Sequence, residues 1–220
     1  MSVNASTSGP IAVEADVAAL AERARALPVP SGRRVLLGLA GAPGAGKSTL
    51  AARLAAELGE QAVVVPMDGF HLAQAVLELS GLADRKGAVD TFDAAGFRAL
   101  IERIAGEGEG DGVVYAPEFR RELEEPVAGA IPIGPGIRWV IVEGNYLLSP
   151  EPEWSRARRS LAEVWYLQAD DELRVERLIA RHVEHGRSRE EAEEWVRRSD
   201  EANARVVEAS REGAQLVVLV

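Results

Sequence analysis

Apolar and polar positions fall into two periods along the chain. Short unbroken apolar runs, Val35–Ala40, Val63–Val65, Trp139–Val142, Val164–Leu167 and Leu216–Val220, are rich in β-branched residues and read as strands covered on both faces. Between them the apolar residues recur at helical spacing. Val13, Val17, Leu20, Ala24 and Leu27 predict a packing helix over Ile11–Leu27, stopped by the Pro28–Gly32 segment. Further helices are expected over Ser48–Leu58, Leu72–Leu79 and Ala94–Ile104, then over Asp171–His185 and Ser188 to about Arg211. The last two are heavily charged, and Ser188 with Glu191 has the spacing of a capping box. The first ten residues are polar and predict disorder, Gly106–Gly112 reads as an acidic surface loop, and Val113–Pro135 reads as an irregular strand-rich insertion.

Strands alternating with helices predict a doubly wound sheet with ligands at the carboxyl ends of its strands. The expectation is an α/β fold of three α/β/α layers: a mainly parallel five-stranded sheet and a helical lid over about 171–190. Residues 1–30 would form a tail and packing helix, and 31–220 the main domain.

The first strand changes the picture. It ends in Gly41-Ala42-Pro43-Gly44-Ala45-Gly46-Lys47-Ser48, followed by Thr49, and a helix begins at once. This is the P-loop pattern: backbone N–H groups and the helix N-terminus face phosphates, Lys47 reaches the β/γ-phosphates, and Ser48 contacts Mg²⁺. Two other strands end in chemistry-bearing residues, Asp68 to His71 and Glu143 through Asn145 to Tyr146. The predicted fold brings all three segments to one edge. Phosphoryl transfer needs a phosphate cradle, Mg²⁺, a carboxylate for the acceptor hydroxyl and cations over the moving group. Asp68 is the candidate base; Ser48, Asp68 and Glu143 are the candidate Mg²⁺-side groups. Arg177 and Arg181 share a helix face, and with Arg187 suit a lid over the nucleotide's phosphates.

Composition narrows the alternatives. The 220 residues carry 25 basic and 35 acidic side chains, a net charge of −10 that argues against a nucleic-acid-binding surface. No apolar run has the length of a membrane span, and the polar start lacks the layout of a signal peptide, so a cytoplasmic protein is expected. The absence of cysteine excludes disulfides and thiol catalysis, and three scattered histidines, His71, His182 and His185, make no metal cluster. Only two of the basic residues are lysines, Lys47 and Lys86, so a chemical role for each is worth testing.

The ordered set GAPGAGKST, PMDGFH, VIVEGNYLL and RLIARHVEHGRS resembles the uridine kinase, phosphoribulokinase and bacterial pantothenate kinase family over about Val35 to Val207. The resemblance implies a kinase that uses Mg²⁺ and ATP to phosphorylate a hydroxyl of a small metabolite. It implies that Asp68 is the catalytic base, that Lys47 and Arg181 stabilise the transferred charge, and that Asn203 approaches the adenine. Its acceptor-side residues would be His71, Arg85, Lys86, Phe92 and Asp93, then Tyr115 and Arg121, together with Glu143, Asn145 and Tyr146. A small-molecule acceptor is the implied partner, and there is room for a homodimer.

Three other readings start from the same loop. Asp93-Ala-Ala-Gly96 imitates a GTPase switch motif, but no N-K-x-D sequence exists to read guanine. A nucleoside monophosphate kinase would need arginines for an acceptor phosphate, and Arg85, Arg120 and Arg121 could supply them. A catalytically idle nucleotide-binding module is the third.

Overall fold

A computed structural model describes residues 10–28, 33–108 and 111–220. The predicted disorder of the first residues, the stop at Pro28–Gly32 and part of the Gly106–Gly112 loop lie outside the described residues. In order, the elements are β1 (Ile11–Glu14), α1 (Val17–Ala26), β2 (Val35–Gly41), α2 (Lys47–Leu58), β3 (Ala62–Pro66), α3 (Gln74–Leu79) and α4 (Ala94–Gly106). They continue as β4 (Val114–Arg120), β5 (Glu125–Ile133), β6 (Trp139–Gly144), α5 (Pro152–Arg158), β7 (Glu163–Gln168), α6 (Asp171–Glu184), α7 (Arg189–Trp195), α8 (Glu201–Glu208) and β8 (Leu216–Leu219).

The main sheet has six strands, in the order β1-β8-β7-β2-β6-β3, all paired in parallel. The expected five were the apolar runs; the sixth is β1, whose residues the helical spacing had assigned to the first helix. Asp16 decides the difference. Its carboxylate accepts from the N–H groups of Ala18 and Ala19 and caps α1 there, which leaves Ile11–Glu14 extended along β8. A four-residue strand with one half-buried side chain carries too little alternation to be seen in sequence.

The central strands are buried on both faces, and their side chains alternate between two cores. Leu36, Ala40, Val140, Val142, Val164 and Tyr166 face α4, α5 and α8 through Phe97, Ile101, Trp154 and Val207. Val35, Leu37, Leu39, Trp139, Ile141, Trp165 and Leu167 face α1 and α2 through Leu20, Ala24, Leu50 and Leu54. This period of two on a continuous apolar run produces the three layers.

The insertion over Val113–Pro135 is regular: β4 and β5 form an antiparallel hairpin with a register shift between Ala116 and Glu118 and a tip at 121–124. Beyond α6, the expected single helix is broken by a π-helical turn at Val196–Asp200 between α7 and α8. The predicted capping box is present at the start of α7, where the Ser188 and Glu191 side chains each accept the other's backbone N–H.

Candidate active site

Sheet register sets the site. Glu143 on β6 is level with Leu39 on β2 and Pro66 on β3. The phosphate loop therefore begins on one side of Glu143 and the Asp68 turn on the other. A cavity of about 920 Å³ opens there, lined by the loop, Asp68, His71, Lys86, Phe92, the hairpin tip, α6 and the π-helical turn.

At its floor Lys47 is buried, and its Nζ donates to the carbonyls of Gly41 (2.9 Å) and Ala42 (3.0 Å) and to Asn145 Oδ1 (2.7 Å). Burial pulls its pKa below 10.5, opposed by the carboxylates of Glu143 and Asp68. Ser48 Oγ donates to Glu143 Oε1 at 3.0 Å. Burial and then the charge of Asp68 push the Glu143 carboxyl above its ordinary range, while Lys47 and the Ser48 hydrogen bond pull it down. A hydroxyl beside a buried carboxylate, with a second carboxylate near, is a hard-oxygen set that gains from a divalent cation. Among the described residues there is no cluster of three or more His, Cys, Asp or Glu able to cage a metal.

Asp68 sits in a 3₁₀ turn just past β3, half-exposed to the cavity, with Arg121 of the hairpin tip 3.9 Å away. Gly69 beside it leaves room for protein rather than substrate: a Cβ there would lie 2.5 Å from the Pro117 carbonyl oxygen of β4. The hairpin is thus packed directly onto the turn that carries Asp68. His71 Nδ1 donates to the Asp68 carbonyl at 2.8 Å, and the ring stacks between Phe92 (4.1 Å) and Phe119 (4.9 Å). Burial lowers its pKa below 6.5, so the neutral ring presents Nε2 as an acceptor.

Helix α6 forms the roof. Arg177, Arg181 and Arg187 line the cavity, with Arg187 stacked 4.0 Å over Trp195. Arg174 has a different task, which the sequence reading missed. It is buried, donates to the Pro43 carbonyl at 3.2 Å and pairs with Glu201 of α8 at 2.6 Å, tying the phosphate loop to both helices. Gly44 (φ +79°) is the matching feature, because a Cβ there would lie 2.7 Å from the Arg174 carbonyl oxygen. An arginine three residues ahead of Arg177 was visible in sequence, but nothing there showed that it turns toward the loop.

Other expected residues are placed elsewhere. Arg85 pairs with Asp90 at the surface and does not line the cavity. Asp93 caps α4, accepting from Gly96 N at 2.8 Å, so the Asp93–Gly96 motif is a helix start. Tyr115 is exposed on β4, away from the lining. Tyr146 is buried and donates to the Gly87 carbonyl at 2.8 Å, holding the Lys86–Gly87 loop in place. Asn203 lines the cavity from α8, its Nδ2 3.8 Å from where a Gly87 Cβ would be, so it faces the Lys86–Gly87 loop.

A parallel sheet with a phosphate loop at a strand end, a carboxylate pair at its mouth and an arginine-bearing lid defines a P-loop kinase. Comparison gives the narrower assignment. The chain is 37% identical over 187 residues to the "Putative uridine kinase" of Schizosaccharomyces pombe, covering 80% of this chain and 79% of that protein. It is 36% identical over 127 residues to an ATP-dependent kinase-like protein of Aspergillus versicolor, covering 54% of this chain and 73% of the other. A crystal structure described as a putative fructose transport system kinase from Silicibacter superposes with a TM-score of 0.83 and 40% identity, covering 91% of this chain and 98% of that one. The chain belongs to the uridine kinase-like family of P-loop kinases. No family model matches it.

Proposed function

We propose that the protein is an ATP-dependent kinase that transfers the γ-phosphoryl group to a hydroxyl of a small metabolite. The observation that carries this is the convergence of Asp68, Glu143, Ser48 and Lys47 at the mouth of one loop, inside a cavity roofed by Arg177 and Arg181. The names of its relatives support ATP as the nucleotide.

In this reading the loop and the α2 N-terminus hold the triphosphate. Lys47 leaves its backbone carbonyls for the β/γ-oxygens, and Asn145 orients it. Ser48 and Glu143 would hold Mg²⁺, which neutralises charge on the phosphate oxygens. Asp68 takes the proton of the acceptor hydroxyl as that oxygen forms its bond to the γ-phosphorus; the bond to the β-bridging oxygen breaks and ADP leaves. Arg181 faces the charge that spreads over the moving group.

A nucleoside monophosphate acceptor fits less well. Of the three arginines that could have bound its phosphate, Arg85 and Arg120 are paired with Asp90 and Glu118 and do not line the cavity.

The test is ADP release from Mg²⁺·ATP against uridine, cytidine, pantothenate, sugars and their phosphates. Asp68→Asn should keep nucleotide affinity and lower turnover about 10²-fold or more, the scale of a lost general base. Turnover close to wild type in that variant removes Asp68 from the role.

A further inference from the structure

Two cations of the cavity have no carboxylate in tight contact and stand on the acceptor side of Asp68. Lys86 Nζ lies 5.3 Å from the centre of the Phe119 ring, and among the described residues its hydrogen bond is to the Glu124 carbonyl at 2.8 Å. The Arg121 guanidinium lies 5.9 Å from the same ring, and its carboxylate neighbour among the described residues is Asp68, at 3.9 Å. Arg25, Arg103 and Arg189 at the surface are each held by a carboxylate within 3 Å. Here two cations stand near one aromatic ring instead, each able to turn its charge to an anion in the cavity. Arg181 adds to the same field: burial first, and then the charge of Arg121, press its pKa down.

Neither group belongs to the nucleotide half. Lys86 comes from the loop that Tyr146 holds at Gly87, and Arg121 from the hairpin tip, whereas the phosphate loop faces Arg174 and Arg177. Lys86 is also the only lysine besides the loop lysine, and both line this cavity.

We infer that the acceptor is a hydroxylated small molecule bearing an anionic head group, carboxylate or phosphate, held by Lys86 and Arg121. This rests on the kinase reading and names its substrate class: a hydroxy acid or sugar phosphate is favoured over a neutral nucleoside or sugar. Lys86 and Arg121 would set specificity, while Asp68 acts on the hydroxyl.

The test is made separable from turnover by using binding. With the triphosphate site filled by a non-hydrolysable ATP analogue and Mg²⁺, calorimetric titration with inorganic phosphate and with lactate should show saturable binding of at least one. The tighter of the two identifies the head group as phosphate or carboxylate. Lys86→Ala and Arg121→Ala should each weaken it about tenfold or more, the loss expected of a charge-assisted hydrogen bond. Arg120→Ala, altering the neighbouring guanidinium paired with Glu118, should leave it unchanged. Asp68→Asn should keep anion binding even though it lowers turnover about 10²-fold or more, so failure of the kinase reading and failure of this inference give different results. The inference is overturned if neither anion binds the filled protein, or if binding survives both alanine variants. It is equally overturned if a neutral acceptor is turned over faster than its acidic counterpart.

Discussion

At the scale of single residues, the site works by placing charges where burial makes them costly unless a ligand answers them. Lys47 and Glu143 are both buried, with pKa values displaced toward their neutral forms, and each is in reach of a partner that nucleotide or cation would replace. His71 shows the same physics in a form that stability can report. Its folded-state pKa is depressed, so as pH falls through 6.5 the unfolded chain takes up a proton that the folded ring resists. Its contribution is therefore present above that pH and is lost on acidification. We expect thermal stability to decline between about pH 7 and pH 5, and His71→Gln to flatten that slope. Parallel slopes for the two proteins would show that another group carries the acid sensitivity. That Lys47, Ser48 and Asp68 would meet at one edge of the sheet was legible from the strands they follow. The partners of Arg85, Asp93 and Arg174 were not, because a guanidinium or carboxylate selects among neighbours that only folding assembles.

At the scale of elements, the hairpin and the lid matter most, and each meets the loops through a glycine. Gly69→Ala would drive a methyl group into the Pro117 carbonyl and separate the Asp68 turn from the hairpin tip. We expect a loss of about 1–3 kcal/mol, the usual cost of overpacking. Turnover should fall more than nucleotide affinity, since the acceptor side moves and the phosphate loop does not. Thermal melting with paired measurements of kcat and ATP-analogue Kd checks this; equal losses in both would mean that the loop is disturbed as well. The lid behaves differently. Arg174 joins the Pro43 carbonyl, Asp171 and Glu201, so α6 and α8 are coupled to the loop that they cover. The hairpin was legible only as a region, since its prolines and mixed charge hide the alternation of a strand pair. The π-helical turn at Val196–Asp200 had no sequence signal at all, though it sets the buried Asp200 2.9 Å from His182.

At the scale of the whole molecule, one parallel sheet sorts its residues into two cores and gathers its loops at one edge. None of the helices among the described residues is long and apolar enough to cross a membrane. The segment before the phosphate loop takes part in the sheet: β1 pairs with β8, α1 packs against α2, and Arg23 makes two hydrogen bonds of 2.9 Å to Glu163 of β7. Removing residues 1–15 strips that edge strand, far from the cavity. A short ladder and the half-buried Val13 contribute about 2 kcal/mol, so Tm should fall by about 4–8 °C. ATP-analogue affinity should stay at the wild-type level. A matching loss of affinity would show that the edge strand supports the site.

The sequence by itself determined the layered parallel fold and the segments that meet at one edge of its sheet, because both rest on local patterns. Unbroken apolar runs mark strands buried on both faces, and Gly41–Ser48 is one contiguous segment between a strand and a helix. Tertiary structure decided the rest: that Ile11–Glu14 is a strand, that Gly69 makes room for the hairpin, and that Arg174 braces the loop. It also decided that Lys86 and Arg121, 35 positions apart in the chain, share the ring of Phe119. Such contacts join residues distant in sequence, and their energies depend on packing and burial, which no local pattern of side chains encodes.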